Sequence, residues 1–148
     1  MREMAMGSAR TILFLCPHYA AKSVLAAAYF EQLARERGLD YRATSAGTSP
    51  DAAPSPAVVA MLREEGIDVA GYRPRRLTTA DLTNAHRVIS LGCNLDDLDG
   101  GSVRVDRWDD VPPASQDLGA SRAAIKRHLG ELVDELEASD RPLTSGAQ

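Results

Sequence analysis

Short apolar runs alternate with longer amphipathic segments along this chain. The run TILFLC is almost entirely apolar, which is typical of a strand buried on both faces of a parallel sheet. From Ser23 to Arg37, and again from Ser121 to Glu137, apolar residues recur at helical spacing. The pattern therefore predicts strands that alternate with helices.

The remaining segments continue this alternation. YRATSAGT, HRVISLGC and SVRVDRW predict three more strands, and SPAVVAMLREEG predicts a helix with Ser55 as its N-cap. In TTADL, Thr78 and Asp81 have the spacing of a capping box for a short helix. We expect an α/β fold in three layers, with an open four-stranded parallel sheet and helices on both faces. One domain over residues 10–138 is predicted, with flexible tails at 1–9 and 139–148.

Composition limits the classes of partner. The 148 residues carry a net charge of −4, which disfavours nucleic-acid binding, and no apolar run is long enough for a membrane span or a signal peptide. We expect a cytoplasmic protein with no nucleic-acid or membrane partner. The two cysteines and three histidines lack metal-ligand spacing, so neither a metal nor a bound cofactor is expected.

The segment CPHYAAKS carries the candidate chemistry. Cys16 ends a predicted strand, and Lys22 and Ser23 open the next helix. Backbone N–H groups and the helix dipole at such a turn attract an oxyanion, and the same field favours the nucleophilic thiolate form of cysteine. Cys16 is the candidate nucleophile, Ser23 a donor to its thiolate, and Lys22 an anion contact. The residues between them would line the cradle: Pro17, His18, Tyr19, Ala20 and Ala21. The alternative is a buried cysteine beside a solvated lysine.

CPHYAAKS resembles the C-x5-R-S loop of low-molecular-weight protein tyrosine phosphatases and of thioredoxin- or thiol-coupled arsenate reductases. The similarity extends from Thr11 to Leu136 and includes TSAGT, EEGIDV, YRPRRLT, VISL and WDDVPPASQDL. It implies the four-stranded parallel fold and a pocket for a phosphate-type oxyanion. Lys22 stands where the family has arginine, and a lysine does not provide the bidentate grip of a guanidinium. The arginines of YRPRRLT either rim the pocket and attract an acidic substrate or belong to a solvated loop: Arg73, Arg75 and Arg76.

The resemblance also implies a general acid in an Asp-Pro pair after the fourth strand. Pro112 occupies the position of that aspartate and Pro113 the position of the proline. Asp110 is therefore the expected acid, with Asp109 as its alternative. His86 and His128 are expected to be ordinary residues of a strand edge and a helix face.

Three hypotheses follow. The first is a cysteine-dependent phosphatase that hydrolyses phosphotyrosine-like monoesters, with a phosphorylated protein as partner and a phosphocysteine on Cys16. The second is an arsenate reductase in which Cys16 takes up a small oxyanion and Cys93 resolves the adduct, or an external thiol does, such as thioredoxin or a low-molecular-weight thiol. Cys93 lies close to the position of a resolving cysteine in thioredoxin-coupled reductases. The third is an oxyanion-binding or phosphoprotein-binding module with little or no turnover.

Overall fold

Four parallel strands form the centre of the structure. The computed structural model describes residues 10–16, 22–47, 55–69, 76–92, 105–112 and 116–140. The strands are β1 (Arg10–Leu15), β2 (Tyr41–Ala46), β3 (Arg87–Ser90) and β4 (Val105–Arg107). They lie in the order β2-β1-β3-β4, and each neighbouring pair is parallel. The predicted α/β fold with an open four-stranded parallel sheet is confirmed.

Four helices connect and cover the strands. They are α1 (Lys22–Glu36), α2 (Pro56–Glu64), α3 (Thr79–Asn84) and α4 (Leu118–Asp140). The capping box of α3 is present as predicted: Thr78 Oγ1 accepts from the Asp81 N–H at 3.2 Å, and Asp81 Oδ2 accepts from the Thr78 N–H at 2.8 Å. Ser55 is the N-cap of α2 by position, although its hydroxyl makes no capping hydrogen bond. Within the described part of the chain, no helix is both long and apolar enough to cross a membrane.

The last helix is longer than its apolar stripe indicates. It begins at Leu118 because Asp117 precedes it as a cap: Asp117 Oδ1 accepts a hydrogen bond from the Ala120 N–H at 3.0 Å. It ends at Asp140, so helix continues into the first positions of the predicted tail. Residues 1–9 and 141–148 lie outside the described residues, and their flexibility stays a prediction.

The side chains of β1 alternate between two apolar layers. Ile12 and Phe14 pack into a cluster with residues of α1, α2 and α4, whereas Leu13 and Leu15 pack with Leu82 of α3. Helices therefore cover both faces of the sheet, as predicted. This explains why TILFLC shows no polar alternation, since a strand covered on both sides has no solvent-facing position.

A polar contact joins three of the helices on one side of the sheet. Tyr29 of α1 donates to Glu65 Oε2 at 3.0 Å, at the end of α2. Arg122 of α4 donates through Nε to both the Tyr29 hydroxyl and Glu65 Oε2, each at 3.0 Å. Lys126 lies over the Tyr29 ring, 4.7 Å from its centroid. These contacts set how α1, α2 and α4 lie against one another.

Replacing Glu65 by glutamine is expected to lower the free energy of unfolding by about 1 kcal/mol at pH 7, because partly buried charged hydrogen bonds contribute about that much. The hydrogen bond from Arg122 lowers the pKa of Glu65 in the folded protein. Its stabilisation is therefore complete above the ordinary glutamate pKa of about 4.3 and is lost as the pH falls through the lower folded-state value.

Urea denaturation between pH 7 and pH 3 measures this effect. The difference between the unaltered protein and Glu65→Gln should shrink below about pH 4. The exposed neighbour Glu64 offers a matched control, and Glu64→Gln should change stability little at any pH. A Glu65→Gln difference that does not depend on pH would contradict the assignment.

Candidate active site

The candidate site lies where the order of strands reverses. The chain passes from β1 outward to β2 and then crosses to β3 on the opposite side of β1. In open parallel sheets, ligands bind beyond the carboxyl ends of the strands at such a point. Cys16 directly follows β1, and Gly92 lies just beyond β3. The Leu91 N–H donates to the Leu15 carbonyl at 2.7 Å, so the two strand ends remain side by side up to the site.

Cys16 and Ser23 meet at this edge. Cys16 Sγ lies 3.1 Å from Ser23 Oγ, within hydrogen-bonding distance for sulfur, and the pair is buried. Cys16 is 4% exposed and Ser23 is fully buried in the first turn of α1. In the thiol form the S–H donates to the hydroxyl, and in the thiolate form the hydroxyl donates to sulfur. Two residues predicted to act together are therefore in direct contact.

Lys22 lies beside the end of β3. A Cβ atom built on Gly92 would be 3.5 Å from Lys22 Nζ, so the ammonium group approaches the backbone at Gly92. Gly92 has a φ of +100°, which side-chain-bearing residues rarely adopt. As the first residue of α1, Lys22 thus brings its charge to the same sheet edge as Cys16.

The segment after β4 carries the two candidate acids. Asp109 Oδ2 is 2.9 Å from Arg107 Nη2. Asp110 accepts hydrogen bonds from His128 Nε2 at 2.7 Å and from Arg127 Nη2 at 3.0 Å. The hydrogen bond from His128 lowers the pKa of Asp110, and the charge of Arg127 acts in the same direction. The role of Asp110 as a general acid stays a prediction, and its environment favours the charged form.

Several predicted site residues lie outside the described residues. They are Pro17, His18, Tyr19, Ala20, Ala21, Arg73, Arg75, Cys93 and Pro113. Among the described residues, Cys16, Lys22 and Ser23 meet at the carboxyl edge of β1 and β3, whereas Asp110 contacts α4. In the same part of the chain, no group of three or more histidine, cysteine or acidic side chains is arranged to hold a metal ion.

The contact between His128 and Asp110 was not anticipated from the sequence. The sequence predicts an ordinary helix-face residue at His128, but its ring stacks on Trp108 with centroids 4.6 Å apart and an interplanar angle of 13°. The available signal was the apolar stripe of α4, which places His128 next to the buried Leu129. That signal locates the helix face and does not identify what the face contacts.

Comparison with known proteins identifies the family. Residues 11–97 match the profile of the family described as low molecular weight phosphotyrosine protein phosphatase. The chain is 28% identical over 142 residues to a Halobacterium salinarum protein that carries the provisional name arsenate reductase, covering 93% of this chain and all of that protein. This protein belongs to the low molecular weight phosphotyrosine protein phosphatase family, whose relatives include proteins named as arsenate reductases.

Solved structures share the fold. YfkJ from Bacillus subtilis superposes with a TM-score of 0.80 at 24% identity, covering 91% of this chain and 99% of that one. YwlE, described as an arginine phosphatase, superposes with a TM-score of 0.76 at 20% identity, covering 88% of this chain and 97% of that one. Identities at this level support the arrangement of strands and helices and carry no argument about substrate.

The backbone at Gly92 provides a test of the site geometry. Gly92→Ala is expected to lower the free energy of unfolding by about 1–2 kcal/mol, because a φ of +100° strains any residue with a Cβ atom. Gly130 in α4 is the matched control, since a Cβ there meets nothing within 4 Å. Gly130→Ala should raise stability by up to about 1 kcal/mol. Urea midpoints of both variants measure this, and a Gly92→Ala protein as stable as the parent would contradict the described geometry.

Proposed function

We propose that this protein is a cysteine-dependent phosphatase that hydrolyses phosphate monoesters through a phosphocysteine on Cys16. The observation that carries the proposal is the buried contact between Cys16 Sγ and Ser23 Oγ, at 3.1 Å, beyond the carboxyl end of β1. Membership of a phosphotyrosine phosphatase family supports it, since the matched residues include both side chains. Phosphotyrosine-like esters, free or on a phosphorylated protein, are the first substrates to test.

Each residue of this pair has a defined task in the proposed reaction. The Cys16 thiolate attacks phosphorus, an S–P bond forms, and the P–O bond to the leaving group breaks. Ser23 donates its hydroxyl hydrogen to the thiolate before the attack and again when the thiolate is released. Water then attacks the phosphocysteine, which yields inorganic phosphate and the thiolate. No external oxidant, reductant or metal takes part in this cycle.

Lys22 supplies positive charge to the bound oxyanion in this proposal. Its ammonium group lies beside Gly92, at the edge where Cys16 ends β1. An ammonium group acts as a point charge, whereas a guanidinium binds two oxygens in a fixed geometry. The N–H groups of the first turn of α1 are proposed as further donors to the oxyanion, because the first turn of a helix has no intrahelical acceptor for them.

Ser23→Ala tests the contact that carries the proposal. Loss of a hydrogen bond to a charged group costs about 1.5–3 kcal/mol, so we expect kcat for p-nitrophenyl phosphate to fall about 10- to 100-fold. Ser121→Ala is the matched control, because Ser121 is also fully buried and its hydroxyl has no hydrogen-bond partner among the described residues. It should leave kcat unchanged.

The alkylation rate of Cys16 tests the contact between Cys16 and Ser23 independently. Reaction with iodoacetamide at neutral pH should be fast in the parent, slower in Ser23→Ala, and slowed further by phosphate or vanadate. Measurements are made in a Cys93→Ser background, which leaves Cys16 as the remaining cysteine. If neither anion changes the alkylation rate and no Cys16-dependent turnover is detected, the proposal is contradicted and a binding module is favoured.

Arsenate reduction is the second candidate function. The full-length similarity to the Halobacterium salinarum protein favours it. In this reaction Cys16 takes up arsenate with loss of water, and a second thiol then attacks the Cys16 sulfur. A disulfide forms as arsenic is reduced and arsenite leaves. The second thiol is proposed to be Cys93, or an external thiol such as thioredoxin or a low-molecular-weight thiol.

Measuring arsenite formation in the presence of thioredoxin or of a small thiol shows whether the second thiol is Cys93 or an external thiol. If Cys93 resolves the adduct, Cys93→Ser should abolish thioredoxin-coupled turnover. Turnover that persists in Cys93→Ser and requires a small thiol would assign resolution to the external thiol. Absence of arsenite under both conditions, with phosphatase activity retained, would rule out this second function.

A further inference from the structure

His128 joins α4 to the segment of residues 108–112, which follows β4. Its ring stacks on the Trp108 ring, with the centroids 4.6 Å apart and an interplanar angle of 13°. Its Nε2 atom lies 2.7 Å from Asp110 Oδ1. The His128 side chain is 19% exposed, so most of the ring is covered by its neighbours. One imidazole therefore contacts the first and the third residue of the segment.

The segment starts at the edge of the sheet that carries Cys16. The Trp108 N–H donates to the carbonyl of Ser90, the last residue of β3, at 2.9 Å. Trp108, Phe14 and Cys16 are buried members of one apolar cluster. The rings of Trp108 and Phe14 lie 6.0 Å apart. The contacts of His128 thus hold a segment that shares its packing with the candidate nucleophile.

Charged groups of three elements lie around His128. A cleft of about 140 Å³ beside the ring is lined by side chains of β3, β4 and α4. Its other charged lining residues are Arg87, Asp106, Glu131 and Glu135. Arg87 pairs with two of these carboxylates, those of Asp106 and Glu135. Among the described residues, the acidic side chain that hydrogen-bonds to His128 itself is Asp110.

Asp110 keeps its negative charge at the pH values at which histidine side chains titrate. The hydrogen bond from His128 lowers the pKa of Asp110, and the charge of Arg127, 3.0 Å away, acts in the same direction. Since an ordinary aspartate already has a pKa of about 3.9, the carboxylate is charged above about pH 5. Histidine is the side chain type that changes charge between about pH 5 and 8. A change of charge at this contact in that range therefore comes from the imidazole.

Both contacts of His128 are stronger when its ring is charged. A cation against the face of an indole ring is attracted by its π electrons. An imidazolium also attracts the Asp110 carboxylate through its charge, whereas a neutral imidazole offers the hydrogen bond alone. The loss of one proton therefore weakens the attachment of the segment at Trp108 and at Asp110 together.

We propose that His128 is a positioning residue whose charge sets how firmly residues 108–112 are held against the carboxyl edge of the sheet. When the ring is charged, Trp108 and Asp110 are both held on α4. When it is neutral, the segment opens more often. Because the segment shares its apolar cluster with Cys16, the rate at the active site should follow the same protonation, and this consequence rests on the proposed phosphatase function.

Hydrogen exchange of the Trp108 N–H, followed by NMR, measures this opening, because exchange requires its hydrogen bond to Ser90 to break. The Leu91 N–H donates to the Leu15 carbonyl at 2.7 Å and is the internal reference within the sheet. After correction for intrinsic exchange rates, we expect the protection of Trp108 relative to Leu91 to fall about 3- to 10-fold from about pH 5.5 to about pH 8.

Three substitutions assign the effect to this contact. His128→Gln keeps an amide donor but has no titratable group, so the pH dependence should disappear. Asp110→Asn removes the charged partner and leaves the stacking on Trp108, so the pH dependence should decrease. Asp109→Asn is the matched control, because Asp109 pairs with Arg107 at 2.9 Å, and it should retain the full pH dependence. If His128→Gln does not fold, Asp110→Asn decides, since that side chain is more than half exposed.

The consequence at the active site is measured with p-nitrophenyl phosphate. The ratio of kcat/KM between the unaltered protein and His128→Gln should be close to one near pH 8, where both side chains are neutral. It should rise to about 3–10 near pH 5.5, where the unaltered protein gains the charge. The ratio removes the titration of Cys16 and of the substrate, which both proteins share. For Asp109→Asn the same ratio should not change with pH.

The outcomes separate this inference from the proposed function. A relative protection of Trp108 that does not depend on pH, or depends on it equally in His128→Gln, overturns the inference whether or not the protein is an enzyme. pH-dependent protection with a constant kcat/KM ratio overturns the role of His128 as a positioning residue for the reaction. Absence of Cys16-dependent turnover overturns the proposed function, and hydrogen exchange then decides on the pH-dependent contact by itself.

Discussion

β1 hydrogen-bonds to β2 on one side and to β3 on the other, and helices cover both of its faces. This central position leaves the strand no freedom to shift, because a slip of one residue would move its apolar side chains to the opposite layers. Cys16 follows the last residue of that strand, so its position is fixed by the register of the whole sheet. The contact between Cys16 and Ser23 depends on this register, since Ser23 lies in the first turn of the helix that packs on the same strand.

α4 has a second role beyond covering the sheet. Through Arg122 it contacts the middle of α1 and the end of α2, and through Arg127 and His128 it contacts the segment that follows β4. A helix that contacts two neighbouring parts of a structure limits the motion of one part relative to the other. The residues at the carboxyl edge of the sheet are therefore positioned both by the strands and by contacts with α4.

The sequence allowed most of the fold to be predicted, because strands and helices follow from local patterns. TILFLC predicts a buried strand, and the spacing of Thr78 and Asp81 predicts a capping box. Neither prediction requires information about distant residues. The meeting of Cys16 and Ser23 was predictable for the same reason, since a strand, a short turn and a helix start fix their separation. The apolar stripe predicts that α4 starts at Ser121, but the helix begins at Leu118, because the capping residue Asp117 lies before the stripe.

The contacts of Asp110 could not be predicted in this way. Asp109 and Asp110 are chemically identical neighbours, and their partners differ only because α4 presents Arg127 and His128 to one of them. Asp110 and His128 are 18 positions apart, and the apolar stripe that orients α4 does not identify which distant side chain its polar edge contacts. The same holds for Tyr29, Glu65 and Arg122, which come from three separate elements.

The stacking of Trp108 on His128 has a practical consequence. Trp108 is the only tryptophan of the chain, so the intrinsic fluorescence of the unlabelled protein comes chiefly from this junction. Its ring also lies 6.0 Å from that of Phe14, near the carboxyl end of the central strand. Emission from one native chromophore therefore reports on the packing of the sheet against the last helix, independently of any catalytic assay.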